Sequence, residues 1–306
     1  MKISYSLLLL ALLATSAAMP GTAKTLTLCF ENGITSQRWH QLLVNGFADA
    51  PVSLGTISNQ LVNCLSASEP SVRDGIGFTG LSVLLREEKL SRLKREALFQ
   101  KFIEDIKKNN NNESGVYLPF AVLALSEVLR ADRIRPGLDS SQRQHAIDTI
   151  DDYINTLQDY RGFDSKIGWR HGIAHSADAL LQLALNRATT PEQLKQISHV
   201  ILTAITPNDA THMFIYGEPM RLARAMGYVI LREEVPVSYW SEQLRQAASP
   251  APLDSWQQTY HSMESLSRQH NIRSFYNELL AFVAYQNNER LTTLAPEVAE
   301  IARSIK

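Results

Sequence analysis

From about residue 36 onward, apolar residues recur at intervals of three and four, and no run alternates with period two over the length of a strand. The stripes Trp39, Leu42, Leu43 and Ile57, Leu61, Cys64, Leu65 predict two short helices. A third opens near Ser68-Glu69-Pro70, where Ser suits an N-cap and Pro the first turn, and runs through Val72, Ile76, Val83 and Leu84. Leu93, Leu98, Phe102 and Ile106 carry a fourth, which ends at the polar run from Asn109 to Gly115. A fifth covers about Phe120 to Arg130. Asp139-Ser140 then caps a helix bearing Ile147, Ile150, Ile154 and Leu157, and Thr190-Pro191-Glu192 starts another whose buried side is Leu194, Ile197, Ile201 and Ala204. After a break marked by Gly217 and Pro219, a helix reaches about Arg232, and more are expected at 239–248, 254–269, 272–286 and 296–305.

Roughly a dozen helices with short joints predict an all-α fold. The expected architecture is a stack of antiparallel helical hairpins, a HEAT- or armadillo-like solenoid without a consensus repeat, with a closed α/α toroid as the alternative. Upstream of this pattern, Lys2, the apolar run Leu7–Leu13 and the small residues Gly21-Thr22-Ala23 read as a secretory signal peptide over residues 1–23. The remaining 24–306 is expected to form one all-helical domain, periplasmic or secreted from a bacterium, with no stable membrane span after cleavage. In an oxidising compartment the two cysteines, Cys29 and Cys64, suggest a disulfide; Cys64 on an apolar stripe also suits a buried free thiol. Lys and Arg number 30 against 31 Asp and Glu, a net charge of −1, so no basic excess exists to displace phosphate counterions and nucleic acid is not an expected partner.

The candidate chemistry lies in Arg161–Gln182. His171, His175 and Asp178 stand at i, i+4 and i+7, one side of a helix whose other side carries Ile173, Ala177, Leu180 and Ala184. Two imidazoles and a carboxylate so spaced can hold Zn²⁺ and leave a position for water, although Gly172 stands where a zincin has its general-base Glu. Glu218 and Arg221 can pair with each other, or join the site as a fourth ligand and an anion-binding fork. Arg73-Asp74 and Arg161 lie beside turns and read as surface pairs at helix ends, with Arg161 a further site candidate. By helical projection Trp169 turns away from the His/Asp stripe, into the core. Gly75-Ile-Gly-Phe-Thr-Gly80 matches a dinucleotide fingerprint in letters only, because it falls inside a helix.

Arg161-Gly162, Gly168-Trp169-Arg170-His171, Ala174-His175 and Ala177-Asp178, with Pro70-Ser-Val-Arg73-Asp74 before them and Glu218 and Arg221-Leu222-Ala223 after, resemble the family called domain of unknown function 2785. The resemblance covers about residues 36–235 and leaves helices over 236–306 as additions. It implies a bacterial all-helical protein and assigns no activity. Two departures from the family pattern are Val116–Phe120, where relatives tend to carry an Arg, and the export signal. The expected function is binding or scaffolding: a protein, peptide or small ligand held in a polar concave groove containing His171, His175 and Asp178. The alternative is a metal-dependent hydrolase using the same three residues.

Overall fold

Helix starts along the chain are set by local capping chemistry. In the computed structural model, which describes residues 28–109, 111–112 and 114–306, the side chains of Thr35, Ser53 and Ser91 accept backbone N–H groups at the first turns of α1 (Ser36–Val44), α2 (Leu54–Cys64) and α4 (Arg92–Lys107). Capping boxes, Asp139 with Gln142 and Thr190 with Gln193, open α6 (Ser140–Thr156) and α8 (Pro191–Ala204). Between α2 and α4 runs α3, which starts as Pro70–Val72, widens into a π-helical segment Arg73–Phe78 and continues as Thr79–Arg86. The glycine-rich stretch Gly75–Gly80 lies in it, so it is helical, as its letters in context suggested. The signal peptide expected at 1–23 lies outside the described residues.

The other helices are α5 (Tyr117–Ile134), α7 (Gly172–Leu185), α9 (Glu218–Ile230), α10 (Val237–Ala247), α11 (Met263–Tyr285) and α12 (Glu289–Ser304). They pack in two rows. One row places α3 beside α5, α5 beside α7, α7 beside α9 and α9 beside α11; the other places α4 beside α6, α6 beside α8, and α8 beside α10. The rows join through α4 with α5, α6 with α7 and α8 with α9, the neighbour order that consecutive hairpins produce. A continuous apolar core fills the space between them, from Trp39 and Leu61 through Phe99, Leu125, Leu180 and Met226 to Phe275 and Val298. The molecule is therefore all-α. Among the described residues no helix is long and apolar enough to cross a membrane. Cys29 and Cys64 form a disulfide that ties the start of the described chain to the end of α2.

Three boundaries differ from the sequence expectation. α11 is one helix over Met263–Tyr285, preceded by a 3₁₀ turn Trp256–His261, where two helices over 254–269 and 272–286 were expected. Ser267 and Asn271, at the expected break, stay helical with their side chains paired to backbone groups. Ser267 donates to Thr211 O, and Asn271 accepts from Phe214 N and donates to His212 O. Likewise α12 starts at Glu289 on an Asn288 cap and carries Pro296 within it, not at its start. Lastly, the helix projected through Trp169 and His171 begins only at Gly172, and residues 163–169 ahead of it are not helical. They form a hairpin of two short strands, β1 (Phe163–Asp164) and β2 (Gly168–Trp169), paired antiparallel.

Candidate functional site

The hairpin exists because of local polar chemistry at its tip. Asp164 Oδ1 accepts the N–H groups of Lys166 and Ile167, at 2.8 and 3.0 Å, and Gly168 takes φ +79°, which closes the turn without a Cβ penalty. Two buried arginines hold it from below. Arg73, with no exposed surface, sends Nη2 to Ile167 O at 3.0 Å and Nη1 to Ala67 O and Ser68 O at 3.3 and 3.2 Å. Its Nε pairs with Asp74 at 2.8 Å, and its guanidinium lies 4.6 Å from the centre of the Phe120 ring. Arg170, 2 % exposed, donates to Ser114 O at 3.2 Å and faces Asp159 at 3.3 Å. The expectation of a surface pair for Arg73-Asp74 is thus corrected. Arg73 is a buried tie between α3, the preceding turn and a hairpin 94 positions away in sequence.

The consequence is an aromatic edge. Phe163 and Trp169, paired across the hairpin, contact edge to face at 5.0 Å and remain 45 % and 41 % exposed. Trp169 is therefore not a core residue, because it lies in β2 and helical geometry begins only at Gly172. The His171 ring stacks on Trp169, with centroids 4.2 Å apart and planes 8° from parallel. His171 itself is the residue before α7, held at φ 59°, a left-handed conformation costing on the order of 1 kcal/mol for a non-glycine residue. Tyr216 completes the edge at 6.1 Å from Trp169, and its ring presses on Gly162 so closely that a Cβ there would overlap it. The adjoining Ile215 and Met220 are exposed as well.

Behind this edge the expected site residues separate. His175 is buried, its Nδ1 2.9 Å from Pro119 O and its ring edge-on to Phe120 at 5.3 Å. Burial drives both imidazoles toward the neutral form. His171 falls to about 4, helped by the Arg221 charge, and His175 to about 3, with His171 adding to the effect. Asp178 binds the Arg221 guanidinium; burial raises its pKa and the Arg221 charge opposes that rise. Glu218 does not pair with Arg221. It is 2 % exposed and accepts Tyr216 N–H at 2.8 Å, which fixes the turn that presents Tyr216, and burial raises its pKa. Arg161 is exposed and pairs with Asp159 at 2.6 Å at the base of the hairpin.

These positions do not assemble the zinc site drawn from the spacing. The Asp178 carboxylate is engaged by the Arg221 guanidinium and not turned to the two imidazoles as a third ligand. Among the described residues no three His, Cys, Asp or Glu side chains are grouped to hold a metal ion. What the sequence reading missed is Phe163, Trp169 and Tyr216 as a set. The available signal was the cluster of Gly162, Gly168 and Gly217 around them, glycines that permit close approach and a reversal of backbone hand.

An all-α packing of helices with a hairpin tied down by buried arginines ahead of α7 is the class this architecture defines. The sequence model for a protein family of unknown function, DUF2785, matches residues 102–281, more than half of the chain, and the protein belongs to that family. The match begins and ends later than the span of 36–235 read from sequence, so it takes in α5 to α10, the hairpin and most of α11. No curated protein and no solved structure shows significant similarity to the chain.

Proposed function

We propose that this is a binding protein that seats a peptide or protein segment against the edge formed by Phe163, Trp169, His171 and Tyr216, with the Asp178–Arg221 pair beside it. The observation that carries the reading is the pairing of two half-exposed aromatic rings with a support tied down by buried side chains, since Arg73 and Arg170 hold the hairpin beneath them. Large rings held in place lose little side-chain entropy on binding and bring much apolar area, the property of interface anchors. A polar pair at the margin gives direction to the contact. The Cys29–Cys64 disulfide supports the further proposal that the protein works outside the cytoplasm, where such bonds persist.

The test is site-specific photo-crosslinking in the native host, with a benzophenone side chain at Phe163 and, as control, at Leu93, an equally apolar residue exposed elsewhere on α4. A discrete adduct from position 163, absent from position 93 and lost on Trp169→Ala, is the expected result. Identical adduct patterns from both positions, or adducts indifferent to Trp169, would refute it.

A further inference from the structure

The row α3, α5, α7, α9 presents more than the aromatic edge. One face of it carries Arg86 on α3, Glu127, Arg130 and Arg133 on α5, Asp178 and Gln182 on α7, and Arg221 and Arg224 on α9. The contacts between these residues run continuously from helix to helix. Arg86 binds Glu127, Arg133 donates to Gln182 at 3.2 Å, and Arg221 binds Asp178. Both carboxylates are thereby taken. Arg130, Arg133 and Arg224 stand in no ion pair among the described residues, and Arg224 is exposed on the turn after Arg221. In a chain whose overall charge is −1, a face with this surplus of guanidinium groups is a local asymmetry that the fold alone does not require.

We propose, resting on the reading of the aromatic edge as a docking site, that the partner segment is acidic: an apolar residue seats on Phe163 and Trp169, and carboxylates of the same segment follow onto Arg130, Arg133 and Arg224. The spacing sets the pattern. From His171 at the edge to Gln182 beside Arg133 is roughly 16 Å along α7 at 1.5 Å per residue, the reach of about five extended residues. The planar guanidinium fork matches a carboxylate in two parallel hydrogen bonds, and three such groups without an internal carboxylate partner lose no existing ion pair when the ligand arrives. A nucleic acid would meet Glu127 and Asp178 in the middle of the same face, so a peptide that places its carboxylates between them is the better complement.

Fluorescence anisotropy on the full chain tests this with a labelled synthetic peptide, Phe-Ser-Ser followed by four Glu, beside its counterpart with four Gln and a labelled single-stranded oligothymidine. The Glu peptide is expected to bind at least about tenfold more tightly than the Gln peptide, and to weaken as salt rises from about 0.1 to about 1 M, where the screening length shrinks from ~10 to ~3 Å. The triple variant Arg130→Gln, Arg133→Gln, Arg224→Gln should remove that difference. A control, Lys107→Gln, Arg303→Gln, Lys306→Gln, changes exposed cations on other surfaces and should preserve it. Equal affinity for the two peptides, an unaffected triple variant, no binding of the Glu peptide, or stronger binding of the oligothymidine would each overturn the proposal. Trp169→Ala separates the two readings. If it abolishes binding of both peptides and wild type binds the Glu and Gln peptides alike, the aromatic edge stands and the acidic partner falls; if the Glu peptide binds the variant unchanged, the arginines stand and the edge falls.

Discussion

Replacing Arg73 by Met tests the central structural claim, that a buried guanidinium holds the hairpin in place. Methionine follows the same stem and fills most of its volume, so packing is largely kept while the donors disappear. The donors now reach Ile167 O, Ala67 O, Ser68 O and the Asp74 carboxylate at 2.8–3.3 Å. Hydrogen bonds from a charged group contribute about 1.5–3 kcal/mol each at most, and buried acceptors left unpaired cost about 1–3 kcal/mol. Asp74, 36 % exposed, recovers water, and removing the arginine also removes its own desolvation cost, so the sum is well below the ceiling. A loss of about 3 kcal/mol in urea unfolding is the expected value. The local effect is separable from the global one, because Trp39, Trp240 and Trp256 are at most 6 % exposed and Trp169 is 41 % exposed. Under native conditions acrylamide should quench the Arg73→Met protein more strongly than wild type, and Trp169→Phe should abolish that increment. A loss under about 1 kcal/mol with unchanged quenching would refute the claim that this residue pins the hairpin.

Further outcomes follow from the same geometry. His175 is neutral when folded, with a pKa of about 3 against the usual 6.5, so below about pH 6.5 the unfolded chain binds a proton that the folded one refuses. Its contribution is complete above pH 6.5 and falls as pH is lowered, by about 2 kcal/mol at about pH 5. His175→Gln should flatten the dependence of the urea midpoint on pH over that range, with His171→Gln, at about 4, acting in the same direction. Gly162→Ala should displace Tyr216 and cost about 1–3 kcal/mol, seen as altered Trp169 emission before unfolding; an unchanged spectrum would contradict the close packing of that ring on the backbone. Cys29→Ser/Cys64→Ser should lower stability by about 4 kcal/mol in the chain-entropy model for a loop of 35 residues, and in denaturant, which exposes the two buried sulfurs, a thiol-reactive maleimide should label the wild type only after reduction.

The helices were legible in the sequence because amphipathic spacing and capping residues are local. The Asp139 and Thr190 starts appear where the letters place them. Where an element depends on a partner distant in sequence, the local signal misleads. The gap expected between 269 and 272 is closed by helix, with Asn271 satisfied by the backbone at Phe214 and His212. Arg73 reads as a surface charge until Ile167 O lies above it, and nothing within several residues of either position announces the other.

The candidate site shows the same division more sharply. His171, His175 and Asp178 were found because imidazoles and carboxylates at helical spacing are conspicuous, and each has a distinct task in the fold. His175 is buried against Pro119 O, Asp178 engages an arginine, and His171 backs the Trp169 ring. The core position expected for Trp169 rests on projecting a helix upstream of its true start, and the β-hairpin together with His171 at φ 59° invalidates that projection. Had the helix continued upstream, the indole would have pointed among Ile173 and Leu180; with the reversal it lies over the imidazole and half in solvent. The strained residue and the exposed ring are thus one feature. A change that relaxes His171 to helical φ, such as lengthening α7 by its own N-terminal turn, would withdraw the ring from the surface, so the exposed edge exists only while Arg73, Arg170 and Glu218 hold the surrounding turns in their present places.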